Sequence, residues 1–184
     1  PTQSIPAPPL EVYIEDMALD DDVAVVAWRG SGISVFGNKA YVYEQVQGTW
    51  AIRSVLTPFG AGDARDFART VAIADDWVGV GAPQHTEPGE PAQTGGVYVF
   101  ERTASGWVPH SRLVVDGAAE LDRFGASLAG SQSRFAFGAH SFAGSVQVFA
   151  ENGNQWSREA VIAPDVGAYF PHYGLAGFGY ALDL

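Results

Sequence analysis

The sequence has 184 residues, 47% of them hydrophobic and 17% charged, which supplies material for a sizeable core and argues against disorder. Its 21 acidic and 10 basic residues give a net charge of −11, which disfavours nucleic acid as a partner. It contains no cysteine, which excludes disulfides, a thiol nucleophile and cysteine-bound zinc. No apolar run approaches the roughly 20 residues of a membrane-spanning helix.

Residues 1–10 are predicted to form a proline-rich arm or linker. The segment contains four prolines, at positions 1, 6, 8 and 9, and proline blocks both helix formation and ladder hydrogen bonds. Because the sequence begins with proline and not methionine, we expect either a processed mature protein or a part of a longer chain.

The remaining residues, 11–184, contain a repeat of about 55 residues. Four aromatic residues recur at intervals of 54, 57 and 54 residues: Tyr13, Phe67, Phe124 and Phe178. They divide the chain into three complete repeats near 13–66, 67–123 and 124–177, and residues 178–184 open a fourth. Each complete repeat begins with two apolar segments joined by a short polar turn, which predicts two β-strands.

The second half of each repeat predicts a β-hairpin that carries a tryptophan. In all three repeats the tryptophan follows a strand-ending aromatic residue by seven positions: Tyr43 and Trp50, Phe100 and Trp107, Phe149 and Trp156. Turn-forming residues such as Gln47–Thr49 lie between the two. We expect the tryptophans to cover the outer strands of their own sheets, and we expect Phe67, Phe124 and Phe178 to pack between neighbouring repeats.

Each complete repeat therefore contains four short strands and no helical periodicity, which is typical of a blade of a β-propeller. The predicted fold is all-β, with three complete four-stranded blades and the opening strand of a fourth. Known propellers close with about four to eight blades. We therefore expect an incomplete propeller, which is either completed by oligomerisation or by further chain, or is an open arc capped by its proline-rich arm.

Short motifs in the repeats resemble a known family. The pair Phe124-Gly125 followed by Gly138-Ala139, together with Gly81-Ala82-Pro83, resembles the FG-GAP repeat that forms the blades of the integrin α-subunit propeller. The run Val97–Arg102 with the later Trp107 resembles bacterial versions of that repeat. The first repeat departs from the motif with Ala27-Trp28-Arg29, and the third has His140 in place of proline.

The resemblance implies an extracellular binding or adhesion module, secreted or at the cell surface, with calcium as a possible ion in acidic loops. The sequence itself offers no calcium loop, because Asp20-Asp21-Asp22 is contiguous where such loops alternate their oxygen ligands. We interpret this triplet as a turn between strands and predict no metal ligand, cofactor or catalytic residue. Asp66 and Asp122 are interpreted as structural residues of the turns between blades.

Six residues are candidate ligand contacts. The insertion Pro164–Gly177 contains four of them, which suit a carbohydrate or a protein edge but would equally suit packing against a neighbouring subunit: Tyr169, Phe170, His172 and Tyr173. The other two are His85, in the loop Gln84–Gly96, and His140, in the equivalent loop of the next repeat. They approach each other if both loops share one face of the propeller, and are isolated surface histidines otherwise.

Three functions fit these observations. The first is a non-catalytic module that binds a protein or a carbohydrate through blade loops. The second is a structural subunit of an extracellular assembly, a homo-oligomer that uses open blade edges for self-association. The third is a hydrolase or lyase built on a propeller face. Enzymatic activity is left open and is disfavoured by the lack of a catalytic motif.

Overall fold

A computed structural model describes residues 11–30, 38–139 and 144–163. The predicted arm, His140 and the segment from Pro164 onwards lie outside the described residues. Fourteen strands and no helix form the described part of the chain. The first eight strands are β1 (Glu11–Asp20), β2 (Val23–Gly30), β3 (Lys39–Val46), β4 (Thr49–Leu56), β5 (Asp63–Arg65), β6 (Thr70–Ala74), β7 (Trp77–Gly81) and β8 (Gln84–Thr86). The other six are β9 (Val97–Thr103), β10 (Gly106–Leu113), β11 (Ser127–Ser131), β12 (Arg134–Gly138), β13 (Val146–Glu151) and β14 (Trp156–Ile162).

Twelve of these strands form three antiparallel four-stranded sheets, one for each complete repeat. Blade 1 has the order β1-β2-β3-β4, blade 2 the order β6-β7-β9-β10 and blade 3 the order β11-β12-β13-β14. The first strand of blade 2, β6, lies between β1 and β11, so the first strands of the three blades form the inner side of an arc. The predicted all-β fold with four-stranded propeller blades is therefore confirmed. The short strands β5 and β8 form a separate two-stranded ribbon.

Because side chains alternate along a strand, each blade has two apolar faces. One face of a blade packs against the preceding blade and the other face packs against the following blade. We call the face toward the preceding blade the leading face and the face toward the following blade the trailing face. The trailing face of blade 1 and the leading face of blade 2 share one core: Val23, Val25, Ala27, Ala40, Val42 and Leu56 against Val71, Ile73, Val78, Val80, Tyr98, Phe100 and Trp107. Blades 2 and 3 share a second core of the same kind. Leading faces thus carry the large rings, and trailing faces carry mainly smaller aliphatic side chains.

The aromatic residues that open the second and third repeats pack between blades, as predicted. Phe67 is 1% exposed in the first core and Phe124 is 3% exposed in the second. The residues on either side of each ring have positive φ, with Ala68 at 59° and Gly125 at 87°. A Cβ on Gly125 would lie 2.5 Å from the carbonyl oxygen of Gly96. In the third repeat, the glycine after the aromatic residue therefore allows the backbone to pass close to that of Gly96. Phe178 lies outside the described residues.

The predicted placement of the tryptophans over their own sheets is wrong for Trp107. Its indole Nε1–H donates to Glu44 at 3.0 Å, and its backbone N–H donates to the Ser54 hydroxyl at 3.1 Å, both in blade 1. Trp156 stacks on Phe135 of its own blade at 5.0 Å, and it also meets Trp77 of blade 2 edge-on at 5.5 Å. Both tryptophans contact the preceding blade because side chains alternate between the two faces of a strand. The tryptophan position after the hairpin turn places its side chain on the leading face, which packs against the preceding blade.

The triplet Asp20–Asp22 connects β1 to β2, as predicted, and takes part in a polar link between blades. Arg102 of β9 lies 3.0 Å from the Asp22 carboxylate and 3.3 Å from that of Glu44. The guanidinium also lies over the Trp107 ring at 5.9 Å. The hydrogen bond from Arg102 lowers the pKa of Asp22. This arginine therefore joins blade 2 to the β1–β2 turn and to strand β3 of blade 1.

Candidate binding site at the loop end

The two ends of the blades differ in the length of their connections. Two-residue turns such as Asp75-Asp76 join the first and second strands of each blade at one end, which we call the turn end. Strands β2, β7 and β12 end at the opposite end of the blades, which we call the loop end, and a longer stretch of sequence follows each of them before the next strand of its sheet. The loop Gln84–Gly96 lies there, and β14 also runs toward it. The loops of His85 and His140 thus start at the same end, although His140 itself is outside the described residues.

The loop Gln84–Gly96 begins as one half of the short ribbon. Strand β8 pairs with β5 in antiparallel register, with Ala64 opposite His85. Gly62, just before β5, has φ of 104°, and a Cβ there would lie 2.6 Å from the His85 ring. The connection from blade 1 to blade 2 thereby closes over the histidine.

His85 lies at the centre of a buried polar network. Its ring is 1% exposed, with Nδ1 at 3.2 Å from the Tyr98 hydroxyl and Nε2 at 3.0 Å from a Glu87 carboxylate oxygen. Arg112 lies 3.0 Å from the same Glu87 oxygen. It also donates to the carbonyl of Ala61. Burial raises the pKa of Tyr98, so its hydroxyl stays protonated and can donate to Nδ1, while Nε2–H donates to Glu87. The network joins the loop to strands β9 and β10 underneath it.

The far half of the loop is attached to the connection between blades 2 and 3. The backbone N–H groups of Leu121, Arg123 and Phe124 donate to the carbonyls of Ala92, Gln93 and Thr94 at 3.0, 3.1 and 2.9 Å. The loop also closes on itself, because the Gly95 N–H donates to the His85 carbonyl at 3.0 Å. The loop is therefore fixed at both of its ends by backbone hydrogen bonds.

A cavity of about 470 Å³ lies between the ribbon and the tip of this loop. Its charged lining residues are Asp63, Arg65, Glu87 and Glu90. Arg65 pairs with Asp63 at 2.7 Å and Arg112 pairs with Glu87, whereas Glu90 is exposed at the rim. Carboxylates outnumber the cation among these lining residues, so the cavity suits a polar partner that carries positive charge.

Two further concave surfaces lie away from the loop end. One, of about 510 Å³, is lined by the inner strands β1, β6 and β11 and forms the concave side of the arc. The other, of about 220 Å³, lies at the turn end among Asp20, Asp21, Asp22, Asp75, Asp76 and Arg102. Across residues 11–30, 38–139 and 144–163, no three histidine or carboxylate side chains are placed to hold a metal ion.

The sequence singled out His85, which the structure places inside the loop and in contact with Tyr98 and Glu87. A direct contact between His85 and a ligand stays a prediction, as do contacts by His140, Tyr169, Phe170, His172 and Tyr173, which lie outside the described residues. Sequence reasoning missed Glu87, Tyr98 and Arg112, which hold the loop. The sequence did contain one indication of the role of Tyr98. Its side chain ends in a polar group, and so do those of Tyr41 and Gln147, which are at the same position in the other repeats.

The comparisons with known proteins agree with the blade architecture. No protein-family model matches the sequence. Among solved structures, the chain is similar to Sqt1 of Saccharomyces cerevisiae, a WD40 β-propeller protein, with a TM-score of 0.55 and 13% sequence identity. The match covers 85% of this chain and 36% of Sqt1, so the chain spans about a third of the length of that protein. The chain has a β-propeller fold. In the part of this propeller that the structure describes, no helix is long and apolar enough to cross a membrane.

Proposed function

We propose that this chain is a non-catalytic module that binds a protein through the loop end of its propeller blades. The observation that carries the proposal is the ordered loop Gln84–Gly96, which a buried histidine network and backbone hydrogen bonds fix before any ligand arrives. A loop held in one conformation loses little entropy on binding, which favours affinity. Propeller and other repeat folds commonly present such loops on one surface.

The chemistry of the cavity favours a protein over a carbohydrate. Sugar rings are usually bound on aromatic faces, and the residues that line the cavity at the loop end are charged, small or amide-bearing. The acidic rim at Glu90 fits a lysine- or arginine-bearing surface, whose encounter with this acidic chain is electrostatically assisted. Carbohydrate binding through Tyr169, Phe170 and Tyr173 stays a prediction of the sequence.

The cellular setting follows from the resemblance of the motifs to FG-GAP repeats. We place the module outside the cell, secreted or at the cell surface, with adhesion as its role. Calcium is part of that family resemblance, and Asp20-Asp21-Asp22 does not have the ligand spacing of a calcium loop. The resemblance rests in part on the pair Phe124-Gly125, in which a Cβ on the glycine would lie 2.5 Å from the Gly96 carbonyl oxygen.

Charge reversal at the two ends of blade 2 tests the proposal. Glu90→Lys alters the rim of the cavity, and Asp76→Lys makes the same change at an exposed position of the turn end. Immobilised wild-type chain and both variants would be compared for capture of surface and secreted proteins of the source organism, with a glycan array in parallel. We expect the wild type and D76K to capture the same protein and E90K to lose it. Equal capture by E90K, or binding to glycans alone, would contradict the proposal.

A structural subunit that self-associates is the second candidate function. It is favoured by large apolar side chains that are exposed on β1, including Met17 and Leu19. Catalysis by a hydrolase or lyase stays a prediction of the sequence. His85 and Glu87 lie together as acid–base groups, but the histidine ring is 1% exposed and a substrate does not reach it in this conformation.

A further inference from the structure

The hairpin turn of blade 3 differs chemically from the hairpin turns of the other two blades. It consists of four residues, Asn152–Gln155, between strands β13 and β14. The corresponding turn of blade 1 is Gln47-Gly48, and that of blade 2 is Ala104-Ser105. The sequence contains three asparagines, and Asn152 is the one that a glycine follows. Because glycine has no side chain to shield its backbone nitrogen, that nitrogen can approach the asparagine amide more easily here than elsewhere in the chain.

The folded turn leaves both groups of this pair available for reaction. Asn152 and Gly153 are exposed. Within the part of the chain that the structure describes, neither the Asn152 side chain nor the Gly153 backbone N–H makes a hydrogen bond. The turn is closed instead by the backbone N–H groups of Asn152 and Asn154, which donate to the Gln155 carbonyl at 2.8 Å and to the Glu151 carboxylate. Both reacting groups are therefore open to water and held by no competing bond.

We propose that Asn152 is a self-modification site, which converts to aspartate and isoaspartate in the folded protein. The backbone nitrogen of Gly153 attacks the side-chain carbonyl carbon Cγ of Asn152, and a five-membered succinimide ring forms. The bond between Cγ and the amide nitrogen breaks, and that nitrogen leaves as ammonia with the proton that the Gly153 nitrogen has lost. Water then opens the ring at one carbonyl to give aspartate or at the other to give isoaspartate. Water is the only co-reactant.

The isoaspartate product changes the backbone of the turn and not only its charge. Its main chain is longer by one carbon atom, because Cβ becomes part of it. Glu151 and Trp156 lie opposite each other on the two sides of the turn, so the extra atom enters a connection whose ends are paired. Trp156 stacks on Phe135 at 5.0 Å and meets Trp77 of blade 2 edge-on at 5.5 Å. The conversion is therefore expected to weaken the contact between blades 2 and 3.

The chain contains matched controls for this reaction. Asn154 is exposed in the same turn, but Gln155 follows it, and the side chain of that residue shields the backbone nitrogen. Asn38 is 3% exposed, so water does not reach its amide. Gln47 precedes a glycine in the exposed turn of blade 1, but its longer side chain would have to close a six-membered ring, which forms more slowly. We expect conversion at Asn152 and little at these three residues over the same time.

Peptide mass spectrometry of the whole folded chain, incubated at mildly alkaline pH, gives the first test. We expect Asn152 to convert at least about tenfold faster than Asn154, and the rate to rise with pH because the Gly153 nitrogen must lose its proton. Gly153→Ala should slow the conversion at least about tenfold. A Cβ at this position would meet no atom within 4 Å, and circular dichroism would verify that the variant is folded. Equal rates at Asn152 and Asn154, or an unchanged rate in G153A, would overturn the proposal.

Urea denaturation gives the second test, which measures the consequence of the conversion. Asn152→Asp carries the charge of the products but not the additional backbone atom of isoaspartate. Chromatography would separate the isoaspartate form of the wild type from the unmodified and aspartate forms. We expect the isoaspartate form to unfold at a lower urea concentration than the unmodified chain, and N152D to resemble the unmodified chain because the position is exposed. An isoaspartate form as stable as N152D would overturn the predicted effect on the contact between blades.

Discussion

Gly125 is the residue at which the backbone is most directly constrained by a neighbouring blade. Its φ is 87°, and a Cβ there would lie 2.5 Å from the Gly96 carbonyl oxygen. We predict that Gly125→Ala lowers the free energy of unfolding by at least about 2 kcal/mol, because a left-handed conformation and a backbone clash add together. Urea denaturation would measure the change.

Gly117 provides the control for this substitution. Its φ is 73°, but a Cβ there would meet no atom within 4 Å. Gly117→Ala should therefore cost only the conformational term, about 1 kcal/mol. Equal losses at the two glycines would contradict the role of close approach at Gly125.

Asp66, directly before the Phe67 ring, is predicted to destabilise the folded chain when it is ionised. Burial raises the pKa of its carboxyl above the ordinary 3.8, against the opposing effect of Arg69 and Arg29. The folded state therefore binds this proton more tightly than the unfolded state, and the stability that it contributes is lost as the pH rises through the folded pKa. Asn tolerates the positive φ of 58° at this position and carries no charge.

We therefore expect Asp66→Asn to raise the free energy of unfolding at pH 7 by a few tenths of a kcal/mol, up to about 1 kcal/mol. The gain should shrink as the pH falls below the folded pKa and vanish at a pH well below 3.8. Urea denaturation of both proteins over this pH range is the measurement. A gain that is independent of pH would show that the charge of Asp66 is not its cause.

The spacing of residues in the sequence predicted the aromatic rings that pack between blades, but it did not predict the contacts of His85. The recurrence of Phe67 and Phe124 identified the rings that pack between blades, because an interblade position repeats in every unit. Two residues of the His85 network do not repeat: Glu87 lies in the loop specific to the second repeat, and Arg112, which pairs with Glu87, lies on an outer strand. A single sequence therefore indicated the loop but gave no sign that its histidine would be buried.

At the scale of elements, the contact between blades 1 and 2 includes Arg102, which links strand β9 to the β1–β2 turn and to strand β3. We predict that Arg102→Met lowers the free energy of unfolding by about 1 kcal/mol, because Asp22 and Glu44 lose a partner that joins two blades. The loss should decrease at high salt, since part of the interaction is exposed. Thermal unfolding at two salt concentrations is the measurement.

Arg134 is the matched arginine within a single blade. It pairs with Glu159 of the same sheet at 2.7 Å, and both side chains are well exposed. Arg134→Met should therefore lower the free energy of unfolding clearly less than Arg102→Met does. If the two substitutions lowered the free energy of unfolding equally, the contact of Arg102 between blades would not stabilise the chain more than an ion pair within one blade.

The hairpins and their tryptophans show what the sequence predicts about elements. The constant spacing between Phe100 and Trp107 correctly predicted strands β9 and β10 and the turn between them. It did not reveal which sheet the tryptophan contacts, because the face of a strand is fixed by its register with neighbours. The ribbon of β5 and β8 was also missed, since three-residue strands leave almost no periodic signal.

At the scale of the whole molecule, the sequence predicted the three complete blades that the structure describes, and the structure added the direction in which they stack. The distinction between large rings on leading faces and smaller side chains on trailing faces depends on strand register, which no single repeat reveals. The loop end likewise emerges only when the strands are assembled, because it collects connections that are far apart in sequence.

Amide hydrogen exchange tests the central claim, that the loop Gln84–Gly96 is ordered before a ligand binds. The N–H groups of His85, Gly95 and Phe124 each donate to a backbone carbonyl in this region at 2.9 to 3.0 Å. We predict that these amides exchange as slowly as those of strands β7 and β9 in the isolated chain. Exchange as fast as at the exposed turn residue Gly48 would show that the loop is not preformed and would contradict the proposed binding site.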